Sequence, residues 1–177
     1  MAWRDLFPAR LPRDVRSDLE AALAEAGRPG RARVLGFAEA FPDGYAVGLR
    51  SELAVQRGGS WSVVPWETIE RGSWNAENRS LRWELVDGRR GSVAIDKPGP
   101  MPGIFYERVQ ASILAREEIE IDGTINGAVL SLRRDPGRPS AEPIWRASRG
   151  RGTPGTPEIT ALLEAELERR KLDYHPR

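Results

Sequence analysis

The side chains that most often act as nucleophiles or proton carriers are nearly missing from this chain of 177 residues. It has no cysteine, which excludes disulfides, thiolate nucleophiles and cysteine-ligated zinc, and its one histidine is His175. A Ser-His-Asp triad, a histidine base in a pocket and a multi-histidine metal site are therefore not expected. An enzyme built on carboxylates alone stays open but no motif supports it. We predict no catalytic residue and no cofactor.

The clearest charged anomaly is the segment of residues 145–152. It places Arg146, Arg149 and Arg151 among small residues, directly after Trp145. Arginine forks bind phosphates and aromatic rings stack on unpaired bases, so this segment is a candidate site for an anion or for nucleic acid. The interpretation we favour is a solvated loop before a helix, because no aromatic residues are interleaved with the arginines.

An acidic run precedes the last part of the chain, at Glu117, Glu118, Glu120 and Asp122. Calcium prefers carboxylate oxygens, but a calcium loop needs ligands at ordered spacing around a turn glycine. The pair Asp122-Gly123 lacks that spacing. We therefore interpret the run as the solvent face of a strand and predict no metal site.

Tryptophans are concentrated in one stretch of the sequence: Trp61, Trp66, Trp74 and Trp83. Such large aromatic side chains are most often core residues and, where exposed, contacts for a partner protein. Trp61 and Trp66 have opposite parity along one predicted strand, so both face the core only if Pro65 breaks that strand. Trp66, Trp74 and Trp145 are the candidate partner contacts.

Hydrophobic periodicity predicts the first elements of the fold. Apolar residues at helical spacing predict a helix over residues 13–26. From 32 to 96 apolar and polar residues alternate, with turn signals such as Pro42-Asp43-Gly44 between the runs. This pattern predicts about seven short strands of an antiparallel sheet or small barrel.

The second part of the chain begins with a Pro/Gly-rich connector at 97–103, followed by a helix predicted at 104–115. Further strands and a last helix are predicted at Ile119 and Ile121, at 129–132, at 144–145 and from a cap at Thr156 onward. The fold class is therefore α+β, with a helix near each end of the chain.

Seven strands followed by one amphipathic helix is the order of a pleckstrin-homology-like (PH-like) domain. Residues 63–71 carry a hydrophobic-Pro-Trp-acidic-x-Ile pattern that leads into a hairpin, and they resemble the middle of bacterial PH-like and GRAM-like domains. The whole chain is similar to a family of actinobacterial proteins of unknown function, through residues 11–16, 107–113 and 144–146. The resemblance implies a sheet or partly open barrel capped by a helix.

We accordingly predict three segments packed as one unit. Residues 1–30 form an N-terminal helical segment, 31–117 a PH-like β domain with its capping helix, and 118–177 an extension of strands and a helix. PH-like domains mostly bind lipids, peptides or proteins. In the lipid-binding members a basic pocket lies between the first strands. Here those strands offer Arg33, Arg50 and Arg57 with Glu39, Asp43 and Glu52 among them, which does not favour phosphoinositide binding.

The expected function is a non-enzymatic module for protein–protein interaction, with a second copy of the chain as one candidate partner. The alternatives are anion or nucleic-acid binding through the arginines of 146–151, and a barrel that binds a small molecule. The net charge of +1 gives no global attraction to nucleic acid or membrane. No apolar run has membrane-spanning length, so we predict a cytoplasmic protein without a transmembrane segment.

Overall fold

The alternating segment forms seven strands, as its periodicity predicts. In a computed structural model that describes residues 10–174, they are β1 (Val34–Glu39), β2 (Tyr45–Leu49), β3 (Glu52–Arg57), β4 (Ser60–Pro65), β5 (Ile69–Asn75), β6 (Ser80–Leu85) and β7 (Arg90–Ala94). His175 lies outside the described residues. The strands form two antiparallel sheets, β1-β2-β3-β4 and β5-β6-β7, which one isolated bridge between Ala40 and Ile95 links without closing a barrel.

A helix fills the space between the two sheets. This helix, α2 (Met101–Ser112), buries Met101, Phe105 and Val109 among apolar residues from both sheets. The Phe105 ring meets Trp66 edge-on, with 5.8 Å between ring centroids. The α+β class with a helix-capped seven-strand unit is confirmed.

Glycines allow α2 to approach the strands closely. A Cβ at Gly48 would lie 2.7 Å from Ile104 Cγ2, and a Cβ at Gly72 would overlap the Phe105 ring. A side chain at either position would therefore push the helix off the sheets. Glycine is therefore needed at both positions for α2 to pack against the two sheets.

A second helix covers the opposite face of the four-stranded sheet. This helix, α1 (Arg13–Glu25), buries Val15, Leu19 and Leu23. They belong to one cluster with Val47 and Leu49 of β2. Alternation along β2 and β3 places apolar side chains on both faces, because α1 covers one face and α2 the other.

The position of α2 differs from the prediction by one helical turn. The expected span was 104–115, but the helix covers Met101–Ser112. Pro102 stands in the first turn, where proline is tolerated because its missing N–H has no helical acceptor. At the other end, Ile113 is extended and begins a strand with no loop between, so no turn residue marks the boundary.

The rest of the chain forms a third sheet and a helix. Strands β8 (Ile113–Ile119), β9 (Ala128–Arg133) and β10 (Ile144–Arg149) form the order β10-β9-β8, separate from the other two sheets. Strand β8 begins six residues before the strand that Ile119 and Ile121 predict, and it runs across the expected segment boundary at 117. Helix α3 (Pro157–Asp173) begins at the predicted cap, where the Thr156 side chain accepts a hydrogen bond from the Ile159 N–H.

Across residues 10–174, none of the helices combines the length and the apolar character needed to span a membrane.

Candidate functional site

The three candidate tryptophans differ in how far their side chains are buried. Trp66 is fully buried, and its Nε1–H donates a hydrogen bond of 2.9 Å to the Leu49 carbonyl oxygen. As a partner contact Trp66 was therefore a wrong prediction, because a short 3₁₀ turn (Trp66–Thr68) after Pro65 rotates the ring into the core. Trp74 and Trp145 are half-buried, and they stay predictions as partner contacts.

The arginine segment is a strand rather than a loop up to Arg149. In β10, Arg146 lies opposite Ser131 and Arg149 opposite Ala128, so the two side chains point to opposite faces of the sheet. The Arg146 Nε is buried without a hydrogen-bond partner among the described residues. Burial raises the pKa of Glu67, and the positive charge of Arg146 is one of the influences that oppose this shift. Arg146 is therefore half-buried on one face of the sheet, while Arg149 and Arg151 are exposed.

A buried ion pair joins the third sheet to the second, β5-β6-β7. Arg133 of β9 is fully buried, and its Nη2 lies 3.0 Å from Glu70 Oε2 on β5. The same guanidinium donates to the Ile69 carbonyl oxygen at 2.8 Å and to Ser131 Oγ at 3.0 Å. Burial lowers the pKa of Arg133, and the negative charge of Glu70 opposes that shift. The pair fixes β9 against the start of β5.

A second charged network surrounds Arg28, which lies in the link between α1 and β1. Arg28 pairs with Glu52 at 2.8 Å, and it lies 3.6 Å from Glu67 and 3.7 Å from Asp135. Burial raises the pKa of both Glu52 and Glu67, although Arg28 lowers them in part. Glu67 Oε2 has no hydrogen-bond partner among the described residues. One cation thus holds three carboxylates from three parts of the chain.

Two adjoining cavities flank the end of β10, with volumes of about 640 Å³ and about 740 Å³. They share Arg71 of β5 and the segment from Ser148 to Arg151, and we call the two adjoining cavities together the central groove. The Arg71 Nη2 donates a hydrogen bond of 3.3 Å to the Arg149 carbonyl oxygen. This bond crosses from the second sheet to the third.

The central groove carries both signs of charge. The first cavity is lined by four arginines and four carboxylates: Arg71, Arg116, Arg149, Arg151, Glu70, Glu118, Glu120 and Asp122. The second has the same balance: Arg71, Arg90, Arg149, Arg151, Glu70, Glu84, Asp87 and Glu164. The acidic run predicted to face solvent thus lines one wall. Within residues 10–174 no group of three or more His, Asp or Glu side chains is placed to hold a metal ion.

Sequence reasoning missed the buried charges. Arg133 ends the run from Ala128, in which every residue is buried. A strand without polar alternation is covered on both faces. This run therefore indicated that Arg133, at its end, is also buried. Nothing comparable marks Arg28, whose carboxylate partners are distant in sequence.

Comparison with protein-family models, with curated proteins and with solved structures gave no significant match to this chain.

Proposed function

We propose that the protein is a non-catalytic binding module of the PH-like class, which holds an extended segment of a partner protein in the central groove. The strand order and the helix between the two sheets support the PH-like assignment. The observation that carries the binding proposal is that two unpaired strand edges border the groove. β5 ends the order of its sheet and β10 ends that of the third sheet.

The backbone of β10 presents hydrogen-bonding groups toward the groove. The Gly150 N–H donates to the Gly127 carbonyl oxygen at 2.8 Å, which directs that group toward β9. Because N–H groups alternate in direction along a strand, those of Ala147 and Arg149 point away from β9. The Arg149 carbonyl oxygen points the same way and accepts from Arg71. An added strand pairs with such an edge through its main chain.

The charges of the groove favour a protein segment over nucleic acid. Arginines and carboxylates are equal in number in both cavities, and this pattern suits a segment with both charges. A nucleic-acid site needs an excess of positive charge along one face. The space between the first two sheets is filled by side chains such as Trp66 and Phe105, which leaves a small-molecule barrel without support.

The test begins with the tagged protein recovered from its native cells, where we predict a cytoplasmic partner. The recovered stoichiometric protein is then purified and titrated against the Ala147→Pro variant. Proline removes the outward N–H of Ala147 and leaves the pairing with β9 intact, so we expect binding to weaken about tenfold.

The matched control is Ala147→Val, which adds a side chain of similar volume and keeps the N–H. Because Ala147 lines the second cavity, this variant measures the effect of added volume alone, and it should bind more tightly than Ala147→Pro. Circular dichroism should show that both variants are folded. Equal affinity of the proline variant and the wild type would show that the edge of β10 is not used. Light scattering distinguishes a second copy of the chain from a different partner.

A further inference from the structure

A separate basic hollow lies at the end of the four-stranded sheet where the link between α1 and β1 meets the β2–β3 turn. Its volume is about 340 Å³. Its walls hold five arginines and one carboxylate: Arg28, Arg31, Arg33, Arg50, Arg138 and Glu52. This excess of positive charge contrasts with the balanced central groove. A chain with net charge +1 therefore concentrates positive charge at one small concavity.

The arginines of the hollow divide into two groups. Arg28 and Arg138 pair with buried carboxylates, Arg28 with Glu52 at 2.8 Å and Arg138 with Asp135 at 3.7 Å. The other three, namely Arg31, Arg33 and Arg50, are exposed, and their side chains have no ion pair or hydrogen bond among residues 10–174. Their guanidinium groups are therefore free to bind a ligand.

The walls of the hollow are fixed by contacts within the fold. The Ala32 N–H donates to Glu20 Oε1 at 2.9 Å, and Arg16 Nη1 donates to the Ala32 carbonyl oxygen at 3.0 Å. These bonds hold the backbone between Arg31 and Arg33 against α1. On the other side the backbone at Gly137 contacts Ser51 so closely that a Cβ at Gly137 would overlap its Oγ. The backbone that carries the arginines is thus preorganised.

We infer that this hollow binds a compact phosphorylated anion that carries at least two negative charges. Guanidinium groups present planar pairs of donors that match phosphate oxygens, and several of them around one concavity suit a multiply charged ligand. The volume lies at the small end of the range for ligand sites, which excludes a bulky ligand held entirely inside. The shared chemistry is a phosphate ester or pyrophosphate group, either on a soluble molecule or at a lipid surface.

Calorimetric titration with inorganic pyrophosphate at low ionic strength tests this inference on the full chain. We expect one site per chain, with affinity that falls as salt is added. Arg31→Ala and Arg50→Ala should each weaken binding about tenfold, because each removes a charged donor. The matched control is Arg57→Ala, which removes the same charge from an exposed arginine at the end of β3, outside the hollow. It should leave binding unchanged.

A second arm distinguishes the two sources of the phosphate group. Co-sedimentation with phosphatidylcholine vesicles, with and without phosphatidic acid, is measured for the wild type and for Arg50→Ala. Pyrophosphate binding without vesicle binding assigns a soluble ligand, and vesicle binding that needs both phosphatidic acid and Arg50 assigns a lipid headgroup. The inference is overturned if pyrophosphate does not bind, or if Arg57→Ala weakens binding as much as Arg50→Ala. Neither result bears on the central groove, which these variants leave intact.

Discussion

At the scale of single residues, the most consequential side chain is Arg133. It is a buried cation whose hydrogen bonds reach Ile69, Ser131 and Glu70. Taking such charges out of water is costly, and the mutual attraction of the pair only offsets that cost. The pair therefore contributes little net stability, but the loss of Arg133 leaves the buried charge of Glu70 with only Arg116, at 3.7 Å, to offset it.

Replacing Arg133 alone should therefore cost much more than replacing the pair. We expect Arg133→Met to lower the free energy of unfolding by about 3 kcal/mol, because Glu70 stays buried with only the more exposed Arg116, 3.7 Å away, to offset its charge. The double variant Arg133→Met/Glu70→Leu should recover most of that loss. Denaturation in urea measures both changes. A double variant as unstable as the single one would contradict this account.

An exposed pair provides the control for that experiment. Arg90 lies 3.4 Å from Glu84, with 79% of its side chain accessible to solvent. Exposed ion pairs contribute about 0–1 kcal/mol, so Arg90→Met should change the free energy of unfolding by no more than that.

Glu67 gives a second prediction at this scale. Burial raises its pKa, so between the ordinary glutamate pKa and the raised one the folded state holds a proton that the unfolded state has released. The contribution of Glu67 to stability therefore falls as pH rises through that window. Glu67→Gln cannot ionise, so as pH rises above the ordinary glutamate pKa its unfolding free energy should fall less, or rise more, than that of the wild type.

Glu158 is the control, because its shift has the opposite sign. Hydrogen bonds to its own backbone N–H and to Thr156 lower the pKa of this exposed carboxyl. Its contribution is present above the unfolded pKa and is lost as pH falls, so Glu158→Gln should change the pH profile in the opposite direction. Identical profiles for both variants would contradict the assignment. Denaturant titrations across the pH range measure the differences.

At the scale of elements, α2 packs against glycines on three strands, namely Gly36 of β1, Gly48 of β2 and Gly72 of β5. Gly72→Ala should cost about 1–3 kcal/mol, because the new Cβ overlaps the Phe105 ring in a filled core. Gly103→Ala is the matched control, since no atom lies within 4 Å of a Cβ built there. That variant should gain about 0.5–1 kcal/mol from helix propensity. Thermal unfolding should therefore show shifts of opposite sign.

The sequence predicted elements well where residues alternate and poorly where one element passes directly into the next. Seven strands were expected and seven are present between Val34 and Ala94, because apolar alternation and turn residues mark each one. The change from α2 to β8 at Ile113 has no such mark. In β10 the small and charged residues from Arg146 to Arg149 obscured a strand that pairs fully with β9.

The central groove was predictable only in part for a related reason. Arg149 and Arg151 were identified from composition, but the groove also needs Arg71 and the acidic run, which come from other elements. The second and third sheets, which carry these residues, are held together by the buried contact between Arg133 and Glu70. These two residues are 63 positions apart in sequence. Pairings over such distances are set by tertiary packing and leave no local pattern.

At the scale of the whole molecule, two charged networks join the third sheet to the rest. One is the contact of Arg133 with Glu70, and the other is Arg28, which pairs with both Glu52 and Asp135. Each network would lose a buried ion pair if the third sheet separated from the first two sheets. The predicted segments at 31–117 and 118–177 should therefore behave as one folding unit.

We therefore expect one cooperative unfolding transition for the full chain. Tryptophan fluorescence reports mainly on the first two sheets, which hold Trp61, Trp66, Trp74 and Trp83, while far-ultraviolet circular dichroism also reports on α3. Both probes should give the same midpoint in urea, as two-state unfolding requires. A chain that ends at Glu117 lacks Arg133 and Asp135, so it should not show that transition. Separate midpoints, or a stable fold in the shortened chain, would show that the networks do not couple the two parts.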